Sequence, residues 1–212
     1  DEWQYEMRRE MQEIMPGLFL GPFSASRNIN DLQQVGITHI LCILDGHEVN
    51  FFQRIQDLSS QFCLQTIEVS DSNSQNLISY FPSANEFIRQ ALVENRGKVL
   101  VCCNGGMSRS PCFVIAYIMD TFQLDSQLAY QFVQSKRLCI NPNDHFKVQL
   151  KEYEPIYMAW RSKQIMTAED MEQRQSRRRP APEYDADDGD MMFGAKRLTP
   201  NEGLDQSPRM TL

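Results

Sequence analysis

The chain has 212 residues, 42% of them hydrophobic and 10% aromatic, which is enough for one domain of average size with a sizeable core and a tail. Its formal net charge of −7 argues against nucleic acid or an anionic membrane as a general partner, because both favour a basic surface. The six cysteines form no C-x-x-C pair and the three histidines are scattered, so no metal site is expected.

Alternating strand and helix patterns begin near residue 17. Strands are predicted at residues 17–21, 37–44, 62–69 and 98–102, and the run at 37–44 is nearly continuous in apolar residues, as expected of a strand buried on both faces. Helical patterns lie between them, at residues 28–35, 48–60 and 77–95, and three further helices are predicted at 108–122, 125–137 and 142–159. This order predicts an α/β fold with a central, mostly parallel sheet of about four to five strands and helices on both faces.

The two ends of the chain differ from this pattern. We interpret residues 1–12 as an N-terminal extension that precedes a domain at 13–162. Near this boundary, Met7, Met11, Ile14 and Met15 have the spacing of an apolar helix face, which we expect to pack on the domain, with a partner site as the alternative. Residues 163–212 combine charge, proline and glycine with few large apolar side chains and are predicted to be a disordered tail. The run RRRP at 177–180 is interpreted as solvated charge, with a nuclear-import or docking patch as the alternative.

Cysteine usage indicates the compartment. Four of the six cysteines lie in apolar segments, as reduced core thiols do, which favours an intracellular protein. The first residues are charged throughout, unlike a secretory signal, and the longest apolar stretch, at 111–119, is too short to cross a bilayer. We therefore expect a soluble cytoplasmic protein, which would also enter the nucleus if the basic run were an import signal.

The loop after the fourth predicted strand has a distinctive spacing. From Cys103 it reads Cys-x2-Gly-x2-Arg-Ser, which places Gly106, Arg109 and Ser110. A chance match to all four positions is on the order of one in several hundred. A buried strand precedes the loop, and a helix with Pro111 in its first turn follows it.

A glycine-rich loop that enters a helix can capture an anion. Its backbone N–H groups and the positive end of the helix point at the same place and form an anion-binding cup. The planar guanidinium of Arg109 can donate hydrogen bonds to two phosphate oxygens. A thiol in such a cup has a pKa below the usual value of about 8.5. We therefore predict Cys103 to be the nucleophile of a two-step displacement through a phosphocysteine, with a buried core thiol as the alternative. The predicted phosphate-binding residues are Asn104, Gly105, Gly106, Met107, Ser108 and Arg109.

Phosphoryl transfer to sulfur also needs an acid that protonates the departing oxygen. Asp71 is the candidate, because it follows the third predicted strand at the carboxyl edge of the sheet, where Cys103 also emerges. An aspartate in such a polar loop could equally well be a simple turn residue with no catalytic role.

Together these residues resemble the dual-specificity branch of the cysteine-dependent protein phosphatases, over roughly residues 13–159. That family carries His-Cys-x2-Gly-x2-Arg-Ser with an acid Asp upstream, and Asp71 precedes Cys103 by 32 residues. The segment INPNDHF at 140–146 resembles the family's Pro-Asn segment near the loop. The resemblance implies the cysteine-dependent phosphatase fold, catalysis without a cofactor, and a Ser110 that assists the leaving thiolate. A loop without lysine and the missing tyrosine-recognition loop imply a shallow cleft for phosphoproteins.

One departure from the family affects the activity that we expect. Cys102 stands where the family has histidine, and cysteine is a weak hydrogen-bond partner. If Cys102 ionised, its charge would oppose the Cys103 thiolate, and a vicinal disulfide between the two is a further possible state. We expect phosphate binding to persist and turnover to fall about 10²–10³-fold.

Two functions are consistent with the sequence. The first is a weak dual-specificity phosphatase acting on phosphorylated Tyr, Ser or Thr in kinase signalling, with Cys103, Arg109, Asp71 and Ser110 in the catalytic roles. The second is an inactive pseudophosphatase that binds phosphorylated proteins, such as MAP kinases, as a scaffold or sequestering factor. Segments at 2–22 and 139–143 resemble an inactive branch of the family that has glycine for the nucleophile and keeps the histidine. The retained Cys103 favours the enzyme.

Overall fold

The computed structural model describes residues 3–27, 29–48 and 52–176, with the side chains of 52–54, 56 and 164–176 left aside. By its internal contacts the chain divides into a unit at Asp1–Met171 and a second at Glu172–Leu212. No helix among the described residues is long and apolar enough to cross a membrane. The predicted basic run at 177–180 and most of the predicted tail lie outside the described residues.

A five-stranded sheet in the order β1-β2-β5-β3-β4 forms the centre of the fold. Four strands are parallel and β1 is antiparallel to β2, which confirms the predicted mostly parallel sheet. The central strand β5 is buried at all five positions, as expected of a strand covered on both faces. The strands are β1 at Gln12–Met15, β2 at Leu18–Pro22, β3 at His39–Leu44, β4 at Cys63–Glu68 and β5 at Val99–Cys103.

Within the described ranges, six α-helices cover the sheet: α1 at Ile29–Val35, α2 at Phe52–Ser59, α3 at Phe81–Arg89, α4 at Arg109–Phe122, α5 at Ser126–Lys136 and α6 at Asp144–Ser176. The larger core cluster includes side chains of α3, α4, α5 and α6, and the smaller one includes Leu32 of α1 and Leu58 of α2. Successive side chains of β5 alternate between the two clusters, because strand side chains alternate between faces. Cys102 therefore faces the smaller cluster and Cys103 the larger one.

Three elements differ from the sequence-based prediction. The predicted N-terminal helix face is wrong: a short 3-10 helix at Tyr5–Arg9 is followed by β1, which pairs with β2 and buries Ile14. The second helix begins at Phe52 instead of residue 48, so that Glu48 lies in the loop after β3. The last helix continues to Ser176, and the predicted end of the domain at residue 162 falls inside it.

Candidate active site

The loop at residues 104–108, called the phosphate loop below, joins β5 to α4 at the carboxyl end of the central strand. Gly106 has a φ of +63°, a left-handed conformation that favours glycine. A Cβ atom at Gly106 would lie 2.3 Å from the carbonyl carbon of Gly21 in β2. The glycine that the motif requires therefore allows the loop to turn tightly against the neighbouring strand.

Arg137 donates hydrogen bonds to carbonyl oxygens of the phosphate loop. Its Nε donates to the carbonyl oxygen of Gly106 at 2.9 Å, and its Nη2 lies 3.5 Å from the carbonyl oxygen of Gly105. The side chain is fully buried, and burial lowers the pKa of its guanidinium. The same guanidinium donates to the main-chain oxygens of Arg8 and Glu10 and to the Gln12 side chain. It thus connects the N-terminal segment to the loop.

Two further carbonyls of the loop have donors, so that four of its five carbonyls are occupied. The Asn141 amide donates to Met107 O at 2.7 Å, and the Cys112 thiol donates to Ser108 O at 3.1 Å. In the part of the chain that the structure describes, the backbone amides of residues 104–108 have no hydrogen-bond acceptor. Most carbonyl oxygens of this loop already accept hydrogen bonds, while its backbone N–H groups remain free. This is the donor arrangement of an anion-binding nest.

Cys103 lies at the base of this loop and is 2% exposed. The Ser110 hydroxyl, on the first turn of α4, donates a hydrogen bond to the Cys103 sulfur at 3.1 Å. A donor at this distance stabilises a negative charge on sulfur, both in the free thiolate and when it leaves a phosphocysteine. The structure therefore brings the predicted nucleophile and its predicted helper together.

Arg109 is 5% exposed and is held by Glu48. Its Nη2 lies 2.7 Å from Glu48 Oε1 and its Nη1 3.0 Å from Oε2, and Nη1 also donates to the carbonyl oxygen of Val69 at 3.2 Å. Nε is buried and has no acceptor among the described residues. Because Glu48 fixes the outer nitrogens, Nε remains free for a phosphoryl oxygen.

The ion pair between Glu48 and Arg109 keeps both side chains charged. Burial lowers the Arg109 pKa, but the hydrogen bonds that Arg109 donates to Glu48 and the charges of Cys103 and Glu48 outweigh it, so that the pKa is raised. Burial raises the Glu48 pKa, but hydrogen bonds from Arg109 and the Asp45 amide hold it below the usual value. Arg109 is therefore a permanent cation in the site.

Asp71 lies on the loop after β4 and reaches the phosphate loop. Its Oδ1 accepts hydrogen bonds from Ser108 Oγ at 3.0 Å and from Asn143 Nδ2 at 2.8 Å. The backbone N–H of Asn143 donates to Ser108 Oγ at 3.3 Å, so that the Pro-Asn segment lies beside the loop. In the described part of the chain Asp71 Oδ2 has no hydrogen-bond donor, which leaves it available to carry a proton.

Cys102 does not contact the phosphate loop. Its Sγ lies 3.5 Å from Sγ of Cys42 on β3, in the core on the opposite side of the sheet from Cys103. The hydrogen bond with Cys42, together with burial, raises the Cys102 pKa well above its usual value. Cys102 is therefore a neutral thiol that adds no charge beside Cys103. The vicinal disulfide considered from the sequence is absent, since all six cysteines are free.

Sequence reasoning missed three residues of this site. Glu48 was predicted to begin a helix, although its position after a parallel strand places it at the correct edge of the sheet. Asn143 lies within the Pro-Asn segment but had no assigned role. Arg137 binds mostly main-chain carbonyls, which leave no signal in a sequence.

Comparisons with known proteins agree on one family. Residues 18–156 match the family model "Dual specificity phosphatase, catalytic domain". The chain is 47% identical over 169 residues to the mouse serine/threonine/tyrosine-interacting protein, covering 79% of this chain and 74% of that protein. It is 40% identical over 142 residues to human dual specificity protein phosphatase 9, covering 67% of this chain and 35% of that protein.

A solved structure gives the same result for the fold. The crystal structure of the human tyrosine phosphatase-like serine/threonine/tyrosine-interacting protein matches with a TM-score of 0.64 and 47% identity. The match covers 71% of this chain and 99% of that chain. The fold predicted from the loop motif is confirmed.

Proposed function

Because the chain belongs to the dual specificity phosphatase family, we propose that it hydrolyses phosphorylated Tyr, Ser or Thr in proteins, slowly, through a phosphocysteine. One observation carries this proposal. Cys103 ends β5, the free amides of the phosphate loop follow it, and Arg109, whose buried Nε has no partner among the described residues, begins α4. A dianionic phosphoryl group is the ligand that satisfies these donors and presents phosphorus to sulfur.

The reaction has two balanced steps. The Cys103 thiolate attacks phosphorus, the bond to the ester oxygen breaks, and that oxygen takes a proton from Asp71. Water then attacks the phosphocysteine and gives a proton to the Asp71 carboxylate, while the bond between sulfur and phosphorus breaks. The hydrogen bond from Ser110 stabilises the departing thiolate. Arg109 and the loop amides stabilise the charge on the equatorial oxygens throughout.

Low turnover follows from the residue before the nucleophile. The Cys102 thiol is hydrogen-bonded to the Cys42 thiol and, among the described residues, supplies no donor to the phosphate loop, whereas the family pattern has histidine at this position. We propose a loss of about 10²–10³-fold, the usual effect of removing one electrostatic support. The exposed Asp71 and Met107 at the rim of the loop suit a shallow cleft that accepts a phosphoprotein.

The proposed setting is kinase signalling. Phosphorylated proteins such as MAP kinases are the proposed partners, and the cytoplasm, with the nucleus as an addition, is the proposed location. These proposals rest on the family and on the sequence composition.

The test is hydrolysis of p-nitrophenyl phosphate by the full chain. We expect slow, saturable turnover that is lost in Cys103→Ser and falls about 10²–10⁴-fold in Asp71→Asn, because the leaving oxygen then lacks its acid. An aryl phosphate has a good leaving group, so a phosphoserine peptide should show the larger effect of Asp71→Asn. Equal background rates for the wild type and Cys103→Ser would end the enzyme proposal.

The second candidate is a non-catalytic binder of phosphoproteins. The replacement of histidine by Cys102 and the 47% identity to a serine/threonine/tyrosine-interacting protein favour it. This candidate keeps the roles of Arg109 and the loop amides and discards the roles of Asp71 and Ser110. A wild-type chain that binds a phosphopeptide tightly and releases no phosphate would establish it.

A further inference from the structure

A second hollow lies at the other end of α4 from the phosphate loop. It encloses about 530 Å³ between α3, the second half of α4, and α6. Asp120 lies eleven residues beyond Arg109 on the same helix, which corresponds to about 16 Å along the helix axis. The hollow is therefore separate from the site described above, and nothing in the proposed reaction uses it.

Asn85 lines this hollow and connects two of its other side chains, Asp120 and Tyr153. Asn85 is 6% exposed, and its Nδ2 lies 3.3 Å from Asp120 Oδ2 and 3.3 Å from the Tyr153 hydroxyl. With Nδ2 used in this way, Oδ1 is buried and has no donor among the described residues. Because this oxygen is itself buried, a ligand in the hollow would meet the Asp120 carboxylate beside Asn85 and not the oxygen.

The charges around the hollow leave one carboxylate without a cation. Arg89 is held by both Glu86 and Glu94, at 2.7 and 2.9 Å, so its charge is already paired with two other carboxylates. Arg161 also lines the hollow, but its Nη1 donates to the main-chain oxygen of Asp120 at 3.1 Å. Within the described residues, the Asp120 carboxylate accepts only the long hydrogen bond from Asn85.

Aromatic side chains complete the wall. Tyr153 and Trp160 pack edge to face with ring centroids 6.4 Å apart, and Trp160 is 47% exposed. Val93 is 62% exposed at the rim. A cation with an apolar stem would bury apolar surface here and gain a cation–π contact.

We propose that this hollow binds an arginine side chain of a partner protein. A guanidinium presents several donors in a plane, which matches the two oxygens of the Asp120 carboxylate, whereas a lysine ammonium is a compact point charge. Its methylene stem would lie along Trp160, and its planar head would stack on an aromatic ring. The site therefore selects a partner by an exposed arginine, independently of any phosphorylated residue.

The chain offers a direct reporter of occupancy. Its two tryptophans are Trp3 and Trp160, so Trp3→Phe leaves Trp160 as the single fluorophore. The probe is N-acetyl-Ala-Arg-Ala-amide, and the control is the same peptide with citrulline, which has nearly the same shape and no charge. We expect a saturable change in Trp160 emission with the arginine peptide and none with the citrulline peptide.

Two variants in the Trp3→Phe background test the assigned residues. Asp120→Asn should weaken binding about tenfold to a hundredfold, because a hydrogen bond to a charged partner is lost. The matched control Asp57→Asn makes the same change on the exposed surface of α2 and should leave the affinity unchanged. Thr121→Arg, at the exposed rim of the hollow, should block binding if Asp120→Asn does not fold. Equal responses to both peptides, or unchanged affinity in Asp120→Asn and Thr121→Arg, would overturn the proposal.

Discussion

At the scale of single residues, the sequence predicts the reacting groups better than the groups that orient them. Cys103, Arg109 and Ser110 lie within eight positions of one another, so their spacing alone indicates a phosphate site. Glu48, which fixes Arg109, is 61 positions away from it, and only the pairing of β3 with β5 brings the two together. Cys102 illustrates the same limit, since its contact with Cys42 depends on strand register.

Glu48→Gln tests the orienting role. The substitution keeps the shape of the side chain but removes the charge that fixes Arg109, so we expect kcat/KM for p-nitrophenyl phosphate to fall by up to about 10²-fold. The exposed Glu86, which pairs with Arg89, supplies the control, and Glu86→Gln should leave kcat/KM unchanged. An unchanged kcat/KM in Glu48→Gln would mean that Arg109 needs no orienting carboxylate.

The same substitution predicts a pH dependence of stability. The folded-state pKa of Glu48 is below its ordinary value of 4.5, so its stabilising effect is complete above pH 4.5 and is lost as the pH falls through the folded pKa. The wild type should therefore exceed Glu48→Gln in free energy of unfolding by a constant amount near neutral pH. That difference should shrink below pH 4.5 in urea titrations. A difference that grows on acidification would contradict the assigned ion pair.

At the scale of elements, the sequence pattern identifies the four parallel strands and fails at the antiparallel edge strand β1. The strands β2, β3 and β5 are buried apolar runs, and the more exposed edge strand β4 was predicted as well. At β1 the side chains Met7, Met11 and Ile14 have helical spacing, but pairing with β2 decides the structure. The sequence also does not predict the connection between this N-terminal segment and the phosphate loop, because Arg137 makes it through main-chain carbonyl oxygens.

Arg137→Lys tests that connection. Lysine cannot reach the carbonyls of the loop and of the N-terminal segment together, so buried acceptors lose their donor. We expect the free energy of unfolding to fall by about 2 kcal/mol or more in urea titrations, and phosphopeptide affinity to fall with it. The control is Arg89→Lys on the surface of α3, where the guanidinium is half exposed and the change should be within about 0.5 kcal/mol. Equal losses of unfolding free energy in the two substitutions would show that Arg137 does not connect the N-terminal segment to the phosphate loop.

At the scale of the whole molecule, composition predicts which part of the chain forms the core. Both core clusters end at or before Tyr157, and the sequence places the end of the domain close to this position. The continuation of α6 to Ser176 was not predicted, because the charged composition after residue 163 resembles that of a tail.

Removal of residues 177–212 tests the predicted division into domain and tail. A chain ending at Ser176 should unfold with the same urea midpoint and the same m-value as the full chain, because the tail is expected to bury no apolar surface. Circular dichroism at increasing urea concentration gives both quantities. A lower midpoint, or a smaller m-value, would mean that the last residues belong to the folded core.

The most direct test of the central claim is calorimetric titration of the full-length Cys103→Ser chain with a phosphotyrosine peptide and with the same peptide lacking phosphate. If the loop amides and Arg109 Nε hold a phosphoryl group over position 103, only the phosphorylated peptide should bind, and a further Arg109→Met substitution should abolish that binding. Equal affinity for the two peptides, or undiminished binding after Arg109→Met, would contradict the account.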